Sequence, residues 1–137
     1  MRLVAALILV AAPAAAQQTP LTFEAGKALP LANGQWSYVA TAAESIATFG
    51  TQLQLRCDRS SRTVVISRLN STPASLTIVA DSTSRTLPLN GQVPANDPLL
   101  DAIAFSRGRF IVAGGTGPTI AVPSWPEPAR SIEDCRN

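Results

Sequence analysis

Thr51-Gln52-Leu53-Gln54-Leu55-Arg56-Cys57-Asp58, followed by Arg59-Ser60-Ser61-Arg62 and then Thr63-Val64-Val65-Ile66-Ser67, sets the fold class. Leu53, Leu55 and Cys57 alternate with Gln52, Gln54, Arg56 and Asp58, the period of two that marks a half-buried strand. Residues 59–62 make a polar turn, and the β-branched run after them resumes the strand state, so the pair reads as a hairpin. Cys57 shares its inward face with Leu53 and Leu55.

The chain holds one other cysteine, Cys135. Trp125, Pro128, Ile132 and Cys135 recur at the spacing of one helix face, which turns Cys135 inward. Ser124-Trp125-Pro126-Glu127 matches a capping box, and Pro126 and Pro128 fall in the first turn, where a missing N–H is tolerated. A Cys57–Cys135 bridge would therefore staple a C-terminal helix onto the hairpin; two buried thiols, or pairing between chains, are the alternatives. For a loop of this length the chain-entropy model gives about 4.5 kcal/mol.

Between hairpin and tail, Leu76–Val79 and Ser84–Leu89 read as further strands. Arg109–Ala113 and Thr119–Val122 flank a Gly114-Gly115-Thr116-Gly117-Pro118 turn. That turn lacks the Lys-Ser/Thr and the helix that a phosphate loop needs. Asn70-Ser71-Thr72 is a formal glycosylation sequon, explained more simply as turn chemistry. Asp97-Pro98 opens a helix through Phe105 that Gly108 ends. Upstream, Trp36 to Phe49 is ambiguous between strand and helix; the reading taken is a strand from Trp36 to about Thr41, followed by a second strand or an irregular crossing. The sum is α+β: an antiparallel β-sheet of five to seven strands with two short helices against one face, stapled by one disulfide.

At the N-terminus, Arg2 precedes an apolar run that closes on Ala14-Ala15-Ala16, the layout of a secretory signal peptide. Leu3–Ala12 is too short to span a bilayer, so no membrane span is expected after cleavage. The division is residues 1–16 as signal peptide, 17–35 as a loose arm with one short edge strand near Leu21–Phe23, and 36–137 as one domain. Export to the periplasm or beyond agrees with an even cysteine count. No cysteine follows the signal closely, so lipid attachment is not expected.

Composition narrows function mainly by exclusion. There is no histidine among the 137 residues, which removes Ser-His-Asp triads, Cys-His dyads and histidine-ligated zinc. A net charge of +2 supplies no field for nucleic acid. No G-x-S-x-G elbow, S-x-x-K or C-x-x-C occurs, and no cofactor or metal is expected. Lys27 is the only lysine; arginine supplies every other basic side chain.

Four residues are candidates for contact with a partner: Arg107, Arg109, Trp125 and Arg130. Arg107 and Arg109 flank Gly108, an arrangement suited to a carboxylate or phosphate; the alternative is internal pairing with Glu127, Glu133 or Asp134. Trp125 reads either as an interface anchor or, by its helical spacing, as core. A Glu127–Glu133 or Glu127–Asp134 acid pair for glycoside hydrolysis has no support in the sequence.

The run Leu99–Phe110, with Pro123-Ser124-Trp125-Pro126-Glu127 and Ile132-Glu133-Asp134-Cys135-Arg136, resembles small exported proteins of alphaproteobacteria with no assigned function. The wider plan of L-x-L-R-C strand, R-x-V-V-I strand, short helix, hairpin and cysteine-bearing terminal helix is similar to periplasmic accessory proteins associated with type VI secretion. The resemblance covers roughly Trp36 to Arg136. It implies a periplasmic, non-enzymatic protein that binds an envelope protein or cell-wall component. An inhibitor of an envelope hydrolase, with the loose arm entering a cleft, is the alternative.

Overall fold

Alternating burial carries through the hairpin into a wider frame. In the computed structural model, which describes residues 8–13 and 20–137, the elements are α1 (Phe23–Lys27), β1 (Trp36–Ala40), β2 (Glu44–Phe49), β3 (Leu53–Asp58), β4 (Thr63–Arg68), β5 (Thr77–Val79), β6 (Ser84–Thr86), β7 (Gln92–Pro94), α2 (Pro98–Ala104), β8 (Arg109–Ala113), β9 (Ile120–Pro123) and α3 (Pro126–Arg136). The segment expected to be a signal peptide, with cleavage expected after Ala16, falls for most of its length outside the described residues.

The class is α+β with antiparallel pairing throughout the strand ladders, but the strands divide between two sheets. One has the order β1-β2-β3-β4-β7 and the other β6-β5-β8-β9. The ambiguous stretch after Thr41 is strand β2, in register with β3 from Glu44↔Asp58 to Phe49↔Leu53. Its inward residues, Ser45, Ala47 and Phe49, are all fully buried. Strand β7 was not expected: it offers one inward side chain, Val93, too little for a periodic signal.

The inner face of the first sheet carries two loads. Toward one end, the row Ser45↔Cys57↔Val64↔Val93 meets α3. The Cys57–Cys135 disulfide joins the two, with the Cα atoms 5.5 Å apart. One turn earlier on α3, fully buried Ser131 lies 3.1 Å from the Ser45 hydroxyl and donates to the Ser45 carbonyl at 3.2 Å. Small side chains at Ser45 and Ala47 let the helix backbone come close. Toward the other end, Phe49 and Leu53 share a core with Phe110, Val112 and Val122 of the second sheet. Trp36 bridges the layers, stacking at 5.4 Å on Phe49 and donating its indole N–H to the Pro123 carbonyl at 2.8 Å.

The second sheet is covered on its far side as well. Val79, Ile111 and Ala121 pack beneath Leu21, Phe23 and Leu29. The segment expected to be a loose arm with an edge strand is thus docked, and its ordered element is a helix. Thr22 caps it by accepting from the Ala25 N–H at 3.0 Å. Ala32 then donates to the Ala121 carbonyl at 2.8 Å, placing the chain along the outer edge of β9.

The expected N-terminus of the last helix is off by one residue. Pro126 takes the first helical position, so Trp125 is the N-cap and lends no side-chain hydrogen bond. Ser124 instead extends the β8–β9 ladder by donating to the Gly108 carbonyl at 3.2 Å. Its hydroxyl and Glu127 Oε2 are buried without partners, so the capping box is not formed.

Replacing Cys57 and Cys135 together by alanine should lower unfolding free energy by roughly 4 kcal/mol, since the bridge closes a separation of 78 residues. Urea titrations of oxidised wild type and the double variant measure the difference. Equal midpoints would mean that packing of α3, rather than the covalent tie, holds the tail.

Candidate functional site

The hydrogen bond from Ser124 to Gly108 makes neighbours of the α2–β8 loop and the β9–α3 junction. Arg107, Arg109 and Trp125 therefore gather at one end of the second sheet, while Arg130 sits farther along α3. Their environments differ. Arg107 keeps 91% of its side chain exposed, with Asp81 Oδ2 at 3.8 Å from its Nε and a backbone N–H bond to the same carboxylate. Trp125 is 43% exposed; outside the helix proper, it does not follow the spacing that buries Pro128, Ile132 and Cys135.

Arg109 is committed to the fold. Its Nη1 donates to the Leu29 carbonyl at 2.6 Å and also reaches Gly26 and Lys27 carbonyls at 3.4 and 3.5 Å. These carbonyls lie at and just beyond the C-terminal end of α1, where a cation is favourably placed. Arg130 covers the Tyr38 ring at 4.5 Å. Tyr38 donates to Asp134 Oδ2, and Arg59 lies 3.5 Å from the other oxygen. The hydrogen bond to Asp134, with burial and the Asp134 charge behind it, raises the Tyr38 pKa above its usual value. This cluster seams α3 to β1. Internal pairing of Arg107 or Arg109 with Glu127, Glu133 or Asp134 does not occur; Arg136 takes Glu133 and Arg59 takes Asp134.

Sequence reasoning missed Phe105. It caps α2 and is 80% exposed, off the stripe formed by buried Leu99, Leu100 and Ile103. An aromatic off its helix stripe, two residues before an arginine, was the available signal. Phe105 rims a groove of about 390 Å³ between α2 and the β5–β6 hairpin, floored by Leu99 and bounded by Ser82, Thr83 and Arg85. A second groove of about 560 Å³ meets it at Ser82 and is lined by Phe23, Glu24, Lys27, Asp81 and Arg107, with Glu24 paired to Lys27 at 2.8 Å. The surface is thus two adjoining clefts with an aromatic ring beside each and Arg107 in the second.

Nearby Ser106 spends its hydroxyl on the Arg109 carbonyl at 2.6 Å and the Asp81 N–H at 3.1 Å. Among the described residues no cluster of three acids or cysteines is placed to hold a metal, and no helix is long and apolar enough to cross a membrane. Comparison with protein-family models, curated proteins and solved structures gives no match.

At the head of α2, Asp97 accepts from the Leu99 N–H at 2.9 Å and pairs with Arg85 at 2.7 Å. Burial pushes its carboxyl pKa up, but the Arg85 bond, the Leu99 N–H and the Arg85 charge outweigh that, and the net shift is downward. A depressed pKa contributes stability that is complete above the unfolded value near ~3.9 and disappears as pH falls through the folded value. Asp97→Ala should therefore cost about 1 kcal/mol at neutral pH, and wild type and variant should converge in acid. A gap that does not change with pH would assign the loss to packing instead.

Docking of α1 has its own check. A β-carbon on Gly26 would lie 2.4 Å from Ile111 Cγ1, inside the second sheet's covered face. Gly26→Val and Arg109→Ala should each lower stability by about 1–3 kcal/mol and expose residues 21–29 to limited proteolysis. Unchanged cleavage in both would contradict the docked arrangement.

Proposed function

We propose that this chain is an exported, non-catalytic binding or accessory protein of the periplasm that contacts an envelope protein or cell-wall component. The observation that carries the reading is the exposure of Phe105 and Arg107 together, on a loop held between a disulfide-stapled frame and strands β8 and β9, which are buried on both faces. Interfaces are enriched in aromatic and arginine side chains, arginine among their energetic hot spots, and rigid support lowers the cost of ordering them. Trp125 adds a third half-exposed group beside them. The resemblance of the Leu99–Phe110 and Pro123–Glu127 stretches to small exported proteins, and of the wider plan to periplasmic accessory proteins, points to the same compartment. The inhibitor alternative, with the Gln17–Gln35 arm entering a cleft, is less favoured, because Leu21, Phe23 and Leu29 are packed against Val79, Ile111 and Ala121.

Immobilised protein should capture a saturable component from solubilised envelope. Phe105→Ala and Arg107→Ala should each reduce capture about ten-fold or more, with the melting temperature unchanged within about 2 °C. Equal capture by both variants would remove this surface from the interaction. Turnover of ester, glycoside or peptide substrates by the pure protein would overturn the non-catalytic reading.

A further inference from the structure

We propose that the groove beside β6 receives an extended polypeptide segment of the partner, which joins the free edge of the second sheet as an added strand. This rests on the binding reading above and names the chemistry of what is bound. The hydrogen-bond phase of the β5–β6 ladder is fixed by Leu87 N–H donating to Leu76 O at 2.7 Å and Ala80 N–H to Thr83 O at 2.8 Å. Between them, Ile78 and Arg85 form the next bonded pair, and Thr77 and Thr86 a non-bonded pair whose hydroxyls meet at 2.9 Å. Residues alternate between inward and outward hydrogen bonding along an antiparallel edge. Ser84 and Thr86 therefore turn both N–H and C=O away from the sheet, and all of β6 is exposed.

The opposite edge of the same sheet is closed by Leu31 and Ala32 lying along β9. At β6 the row of outward groups stands next to a groove with an apolar floor of Leu99 and Ala102 and a rim at Phe105. Outward backbone groups two residues apart match an extended peptide backbone, whose side chains then fall alternately toward the groove and toward water. Charge narrows the class further. Arg85 is neutralised by Asp97 at 2.7 Å, whereas exposed Arg107 is held loosely by Asp81 at 3.8 Å. The fitting segment has apolar residues at alternate positions and an acidic group at the end that reaches Arg107.

The probe is a displayed library of random heptapeptides, selected on the oxidised wild-type protein. Enriched sequences should alternate apolar residues and carry Asp, Glu or a free carboxylate at one end. Ser84→Pro removes one outward N–H and no ladder bond, and Ala102→Gln fills the groove from the helix side without touching the edge. Each should weaken a selected synthetic peptide at least about ten-fold, as should N-methylation of the peptide's pairing amides. Binding indifferent to N-methylation and to Ser84→Pro would overturn strand addition. Concentration-dependent dimerisation abolished by Ser84→Pro would place a second copy on the edge and overturn it equally. If selection fails while envelope capture still depends on Phe105 and Arg107, strand addition falls and the binding reading stands. Peptide binding with no envelope capture has the opposite result.

Discussion

Closure of the Cys57–Cys135 bridge is the constraint on which the remaining packing depends. Cys57 lies on the middle strand of the larger sheet, so the covalent tie acts at the centre of the fold. With α3 held there, Ser131 reaches the Ser45 carbonyl, and two fully buried hydroxyls find partners that burial would otherwise make costly to lack. The same placement orders the β9–α3 junction, because the strand and helix are separated by only Ser124 and Trp125. Fixing α3 therefore also fixes the end of β9, where the Trp36 indole bonds to Pro123.

From that bond the second sheet takes its position, and its position forces the next requirement. Strands β8 and β9 are buried on both faces, so apolar residues on the far side need a cover. Leu21, Phe23 and Leu29 provide it. The short helix between them is too brief to be stable alone and is held by packing, by Thr22 at its start and by Arg109 at its end. The edges follow the same logic: β9 is lined by Leu31 and Ala32, and β7 ends in Pro94, which lacks a donor. The β6 edge has neither provision.

What the sequence made legible was what local chemistry encodes. The alternation of Leu53, Leu55 and Cys57, the Asp97-Pro98 helix start and the helical phase of Ile132 and Cys135 all reappear, because each is set by neighbours within a few residues. The division into two sheets depends on pairings such as Val64 with Val93 and Ile78 with Val112, which no local pattern announces. In the arm, α1 is too short to show a helical period, and Gly26 serves close approach to Ile111 rather than looseness. Trp125 followed the helical spacing on paper, but proline at the first helical position left it outside the helix. Of the surface now proposed for contact, Arg107 and Trp125 were visible as residue types, and Phe105 was hidden inside a run read as helix.

The near absence of lysine has a structural counterpart in the way arginine is used. Arg68 donates to carbonyls of Gly114, Gly117 and Pro118, gripping the β8–β9 turn from the end of β4. Arg109 does the same for the end of α1, and Arg136 joins the Ala95 carbonyl to Asp101 at 2.7 and 2.8 Å. In each case one planar head satisfies several acceptors at fixed angles, which a rotating ammonium does less well. Burial lowers the Arg68 pKa, yet a guanidinium retains its proton there. A small domain with many loop carbonyls near its core thus benefits from arginine as a clamp. Arg107 departs from that use: its backbone holds Asp81 while its head stays in solvent. Its donors remain available to a carboxylate from another molecule, at the one loop where an exposed phenylalanine also stands.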